Sequence, residues 1–168
     1  MLIETGIPTK EDLEAVTPSG ERFAKGPVVV VECFQEIPCN PCVDACKRGA
    51  ITKPNDGIND LPAVDFDKCN GCGVCIVQCP GLAIFVVDRT YSETHAVVRI
   101  PYEFVPTPEK GQFACCFDRA GTERGWFEVC KVSSGGAKNK TTTIWLAVPQ
   151  ELAMEIRSIK VGGFKDNG

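Results

Sequence analysis

Eight of the eleven cysteines in this 168-residue chain fall between positions 33 and 79, in two groups: Cys33, Cys39, Cys42 and Cys46, then Cys69, Cys72, Cys75 and Cys79. The second group reads KCNGCGVCIVQCPG, a C-x2-C-x2-C-x3-C-P run. Thiolate is a soft, strongly donating ligand, and this spacing lets a short loop wrap a cube of iron and sulfide with its sulfurs pointing inward. The first group reads ECFQEIPCNPCVDACKRG; its last three cysteines repeat the C-x2-C-x3-C spacing, while Cys33 stands six residues before Cys39 instead of three. It is the same motif with an insertion. Structural zinc also uses C-x2-C pairs, but it usually separates two pairs by about a dozen residues or more, whereas here the third and fourth cysteines follow at once.

A four-iron core needs four converging sulfurs, apolar shielding and backbone N–H groups that soften its negative charge. Gly71 and Gly73 let the second loop turn tightly and turn its amides inward, and Pro80 directs the chain away after Cys79. Elsewhere the chemistry is sparse. Cys115, Cys116 and Cys130 are expected as small buried hydrophobes, and the single histidine, His95, as a surface or strand residue and not a fourth metal ligand. There is no glycine-rich phosphate loop after a strand, no G-x-S-x-G and no second histidine for base catalysis. Trp126 and Trp145 read as core residues on strands, and the SSGG run at 133–136 as a turn.

Composition is that of an ordinary globular chain, 43% hydrophobic and 24% charged. The formal net charge of −4 treats the cysteines as neutral thiols. Eight thiolates around two dicationic cores would bring it to about −8. No basic stripe is available to neutralise phosphates, so nucleic acid is excluded as an expected partner. No apolar run approaches the roughly 20 residues needed to span a bilayer, and the first residues lack the basic and apolar regions of a secretory signal. The expected location is cytoplasmic, where dense cysteines more often mean metal than disulfides.

The elements that must position the cysteines are legible around them. Residues 10–16 can form a short helix, with Thr9 as its cap and Asp12 three residues on; the arm at 1–26 lies over the core or a partner, or frays. Residues 26–32 (GPVVVVE) read as a buried strand feeding Cys33. A short helix over 43–48, a strand at 50–52, a turn-rich connection at 53–62 and a second approach strand at 63–66 lead to the second loop. A helix at 74–78 and a strand at 82–88 close it. CNPCVDACKRGAI and CGVCIVQCPGLAI are thus an internal repeat, and two such halves make a β-α-β-β-α-β ferredoxin-like unit. Beyond residue 88, β-branched and aromatic runs at 96–100, 112–117, 126–132 and 141–148 suggest a small, partly closed antiparallel barrel, with a hairpin around DRAGTERG. Leu152, Ile156 and Ile159 recur at helical spacing after Pro149, so a C-terminal helix is expected over 150–160.

On these cysteine motifs, residues 28–88 resemble the bacterial two-cluster ferredoxins. The resemblance implies two [4Fe-4S] clusters and a crosswise partition in which the fourth cysteine of each motif serves the opposite cluster. Cys69, Cys72, Cys75 and Cys46 would hold one cube; Cys33, Cys39, Cys42 and Cys79 the other. Two departures stand out: the stretched Cys33 loop, which would leave a three-iron cluster or another ligand if Cys33 does not bind, and Lys47 where the family usually has proline. A cation beside a cluster raises its potential. The expected fold class is α+β, with an arm at 1–26, a dicluster unit at 27–90 and a small β-rich domain with a C-terminal helix at 91–168.

With no substrate chemistry of its own, the chain reads as a non-catalytic electron-transfer protein. The segments IPCNPCVDAC, PGLAIFVVD and VPQELAMEIR resemble the small iron-sulfur subunit of flavin-dependent amino-acid dehydrogenases of the proline, sarcosine or opine type. That likeness implies flavoprotein partner subunits carrying FAD and the substrate pocket. The alternatives are a free ferredoxin with an appended domain, or clusters with a structural or sensory role. Replacing Cys33→Ser is expected to convert or remove one cluster and leave the Cys69, Cys72, Cys75 site largely intact. Iron content per chain measures this, and an unchanged value would show that Cys33 is not a ligand.

Overall fold

The computed structural model describes residues 2–135 and 139–166; Gly136 of the SSGG run lies outside them. The arm carries three short helices, α1 (Leu2–Thr5), α2 (Lys10–Val16) and α3 (Gly20–Phe23). α2 begins at its expected cap because Thr9 and Asp12 form a reciprocal capping box. α1 and α2 bury no residue fully, though Val16 at the end of α2 packs half-buried on the main core; α3 buries Arg22 and Phe23 and docks most deeply.

β1 (Val28–Val31), α4 (Pro41–Ala45), β2 (Ile51–Thr52), β3 (Ala63–Val64), α5 (Val74–Gln78) and β4 (Ile84–Asp88) follow in β-α-β-β-α-β order. β1 pairs antiparallel with β4, Val28 opposite Val87 and Val31 opposite Ile84, and β2 pairs with β3. Successive side chains of a strand point to opposite faces. Val28, Val30, Phe85 and Val87 accordingly enter one core, shared with the later strands, while Val29, Val31, Ile84 and Val86 enter a second core packed against the cysteines. A strand buried on both faces has no reason to alternate, which is why four valines run consecutively. Each such side chain contributes about 1.5–3 kcal/mol on burial, well above any exposed ion pair of the arm.

The later strands are β5 (His95–Tyr102), β6 (Phe113–Phe117), β7 (Glu123–Ser133), β8 (Thr142–Pro149) and β9 (Ser158–Lys165). They extend the same sheet in the order β1-β4-β5-β8-β7-β6-β9, antiparallel throughout. Two expectations are corrected here. The barrel-like unit is instead an open sheet with β1 and β9 at its edges, because β5 uses the free side of β4 as its template, Val98 opposite Val87. The C-terminal helix is replaced by a single 3-10 turn, Gln150–Leu152, followed by β9. Ile156 is buried completely and Leu152 half-buried against the main core, but Ile159 is spent opposite Cys116 in the ladder with β6. An isolated helix of that length is marginal, and a tertiary ladder overrides it.

The two edges of the sheet meet through side chains. Glu32, immediately after β1, accepts hydrogen bonds from Arg119 Nη2 at 2.6 Å and Arg157 Nε at 2.8 Å, with side-chain exposures of 7% for Glu32 and 5% for Arg157. Arg119 lies in the β6–β7 turn and Arg157 just before β9, so this triad curls the sheet and anchors the residue that precedes Cys33. Burial pushes the Glu32 carboxyl up, but the hydrogen bond from Arg119 and the charges of Arg157 and Arg119 outweigh it and hold it below the ordinary 4.5. Burial draws the Arg157 guanidinium down to about 10, with Glu32 opposing, so both partners are charged at neutral pH.

Removing one member of a buried charge set typically costs about 3–5 kcal/mol, because its partners are left uncompensated. Glu32→Gln is expected to lose stability in that range, measured by the midpoint of urea unfolding at neutral pH. A carboxyl with a depressed folded value stabilises above its unfolded value and loses that contribution as pH falls through the folded one. The stability difference between wild type and Glu32→Gln should therefore be constant at neutral pH and shrink below about pH 4.5; a pH-independent difference would show that the charge is not what matters.

Candidate iron-sulfur site

The two short helices present their cysteines in the same way. Cys42 is the second residue of α4 and Cys75 the second residue of α5. Cys46 and Cys79 are the C-caps, each with its N–H donating back to Val43 and Ile76 respectively. One turn in each helix therefore separates the third cysteine from the fourth, and the fourth leaves the helix toward the other half. Cys39, on the inserted loop, is held by its N–H to the Ile58 carbonyl at 3.2 Å.

This geometry sorts the eight thiols into two cavities. Cys33, Cys39, Cys42 and Cys79 line one, walled by Val31, Ile37, Pro62 and Ile84. Cys46, Cys69, Cys72 and Cys75 line the other, walled by Val29, Ala50, Ile51 and Val74. Val29 and Val31 are alternate residues of one strand and point to the same face, so the two cavities lie side by side on that face of the β1–β4 pair, with the second core packed against both. Among the described residues no three His, Cys, Asp or Glu side chains converge closely enough to hold a single metal ion. Each foursome instead surrounds a space, as ligands of a cube must.

The donors and their surroundings fit a [4Fe-4S] group. Backbone N–H groups point at the sulfurs: Ala50 to Cys46 at 3.3 Å and Ala83 to Cys79 at 3.5 Å occupy equivalent places, four residues beyond each C-cap. Cys69 accepts from Val29 and from Gly71, both at 3.4 Å. Electrostatics reports the same grouping. Burial, then the neighbouring Cys79 and Cys39, raises the Cys33 and Cys42 thiols above their ordinary value. Burial, then Cys72, Cys69 and Cys46, pushes Cys75 up to about 12. Cys46 moves the other way: burial opposes ionisation, but the amides of Ile51, Ala50, Arg48 and Gly49 prevail. Thiolates crowded this way need positive charge among them, which iron supplies when bound.

The remaining cysteines stay apart. Cys115 and Cys116 are buried on opposite faces of β6, Cys116 within the main core, and Cys130 on β7 donates to the Trp145 carbonyl. His95 is exposed at the start of β5, paired with Thr94. Neither tryptophan is in the core: Lys165 sits 4.4 Å from the Trp126 ring, and Trp145 lies between Arg99, 4.1 Å from its ring, and Lys131.

Motif spacing gave no sign of two residues that grip the second cysteine loop. Arg22, from α3, is buried and donates to the carbonyls of Phe66, Gly26, Pro27 and Cys69, the last at 2.6 Å. Arg99, from β5, donates to the Cys72 carbonyl at 2.8 Å. Both come from outside the cysteine repeat, and an isolated arginine carries no local signature of its tertiary partner.

Residues 37–104 match the family described as a 4Fe-4S dicluster domain; the match begins after Cys33, at Ile37 in the stretch that separates it from Cys39. Ferredoxin-type protein NapF of Haemophilus influenzae is 40% identical over 68 residues, covering 39% of this chain and 39% of that protein. A selenate reductase subunit of Mesobacillus selenatarsenatis is 36% identical over 88 residues, 49% of this chain and 29% of that protein. Pyruvate synthase subunit PorD of Methanothermobacter marburgensis is 38% identical over 48 residues, 29% of this chain and 51% of that protein. The chain thus spans about half or less of the length of these relatives. No solved structure is significantly similar to it. No helix among the described residues is long and apolar enough to cross a membrane.

Gly71 has φ +67°, and a Cβ there would stand 2.6 Å from Pro27 Cβ and 2.7 Å from its backbone, neither of which can swing aside. Gly71→Ala should lower iron bound at the Cys69, Cys72, Cys75 loop. Iron content and the intensity of the visible cluster absorption measure it, and full loading of both sites would refute the fit described.

Proposed function

We propose that this iron-sulfur, ferredoxin-type chain relays single electrons as a non-catalytic subunit of a multisubunit oxidoreductase. Cys33, Cys39, Cys42 and Cys79 bind one [4Fe-4S] cluster and Cys46, Cys69, Cys72 and Cys75 bind the other. The observation that carries the reading is the pair of four-thiol cavities set side by side on one face of an apolar strand pair. Bound clusters supply reversible one-electron chemistry. The protein's own residues do the rest. β1 and β4 line both sites from one face with apolar side chains, Val31 and Ile84 at the first and Val29 at the second. The amides of Val29, Ala50, Gly71 and Ala83 share the sulfurs' charge. Residues 27–90 act as the redox unit, while residues 1–26 and 91–168 clamp it and present it to a partner.

The domain match and the ferredoxin-type relatives support the electron-transfer role, and the reductase and synthase subunits among the relatives support a partner that holds the substrate site. A flavoprotein partner carrying FAD rests on the likeness of the segments around Cys39, Ile84 and Pro149 alone, and none of the three relatives named above bears such a name. Affinity purification of the tagged chain from its native host is expected to bring down companion oxidoreductase subunits in fixed ratio. A chain that purifies alone and monomeric at micromolar concentration would overturn the subunit reading in favour of a free ferredoxin. EPR at controlled potential should show both clusters reducible; clusters that no physiological reductant reduces would favour a structural role.

A further inference from the structure

The two cavities differ in the charge built around them. The one lined by Cys46, Cys69, Cys72 and Cys75 is also lined by Lys47 and Arg48. Arg22 and Arg99 grip the carbonyls of Cys69 and Cys72 from behind. Among the described residues neither arginine forms an ion pair, and Arg99 Nε is buried with no hydrogen-bond partner. Two guanidiniums without counter-ions, packed on one thiol loop, are costly unless negative charge sits within it. The other cavity has a single lining cation, Lys53, whose ammonium is engaged by the carbonyls of Asp60 and Ile58. Hydrogen bonding is lopsided in the same sense. Of the backbone N–H to sulfur hydrogen bonds of 3.5 Å or less among the described residues, three reach Cys46 or Cys69 and one reaches Cys79, while looser amide contacts also reach Cys33 from Gln35 and Cys42 from Val43.

Positive charge and N–H to sulfur bonds both stabilise the reduced, more negative state of a cluster and raise its potential. We propose that Arg22 and Arg99 hold the site of Cys46, Cys69, Cys72 and Cys75 at the higher potential of the two. An electron accepted at the Cys33, Cys39, Cys42 and Cys79 site then passes downhill, the first site losing one electron as the second gains it. The inference rests on the ligand sets proposed above. Arg99 is a positioning residue that also has a structural role, since it stacks on Trp145 and fills the space that a Cβ on Gly73 would need. Its test therefore reads potential, not activity.

The experiment is EPR-monitored redox titration of the full, cluster-loaded chain in four forms: wild type, Cys33→Ser, Arg99→Gln and Arg99→Lys. In Cys33→Ser the intact [4Fe-4S] signal should titrate at the higher of the two wild-type potentials. In Arg99→Gln that potential should fall enough to change the oxidised-to-reduced ratio about tenfold at fixed potential, about 59 mV for one electron, with the lower potential unmoved. Arg99→Lys, which keeps the charge, should recover most of the shift. The proposal is overturned if the intact signal of Cys33→Ser titrates at the lower potential, or if Arg99→Gln moves both clusters equally, the other cluster, or neither. Wild-type protein lacking two [4Fe-4S] signals would instead sink the ligand sets themselves.

Discussion

The antiparallel pairing of β1 with β4 is the constraint on which the rest of the molecule depends. Its alternation sends Val28, Val30, Phe85 and Val87 into the core under the large sheet and Val29, Val31, Ile84 and Val86 into the core packed against the two cysteine cavities. A register slip of one residue would exchange the two sets. Because both faces are apolar, the two-stranded ribbon that a small dicluster unit could leave half-solvated becomes an interior wall. Both cavities are thereby set against one rigid face of the wall, and strands β5 to β9 have a template on which to grow.

Around this wall the chain places its charges where the apolar contacts cannot reach. Glu32 ties the end of β1 to Arg119 and Arg157 and so links the sheet's two edges without a ladder between them. Arg22 and Arg99 do for the second cysteine loop what Glu32 does for the first, gripping it from outside the repeat. The first loop is braced by a triad whose carboxylate offsets one of its two guanidiniums, and the second by two guanidiniums with no carboxylate between them. That asymmetry bears on electron flow because charge near a cluster changes its reduced state more than its oxidised one.

Much of the site was legible because its information is local. Ligand spacing and Gly71 lie within about a dozen residues, and the helix at 74–78 follows from a turn that must bring sulfurs inward, while the one expected over 43–48 forms at 41–45, two to three residues earlier, with Pro41 at its start. The capping box of Thr9 and Asp12 is equally local. The expected helix after Pro149 shows the opposite case. Leu152, Ile156 and Ile159 have helical spacing, yet burial alone satisfies that spacing, and the ladder to β6 together with the pairing of Arg157 with Glu32 decided the backbone.

The sequence by itself carried the pattern of the chemistry: eight thiols in a repeated motif, an apolar strand leading into the first half, and a β-rich extension. Only the tertiary structure decided that the extension joins the dicluster unit in one open sheet, that the arm docks through Val16, Arg22 and Phe23, and that Arg22 and Arg99 both reach the second cysteine loop. The physical reason is range. Metal-ligand spacing and capping act between neighbours in the chain, whereas strand pairing, a buried ion triad and arginine bonds to distant carbonyls depend on partners separated by tens of residues, which no local pattern records.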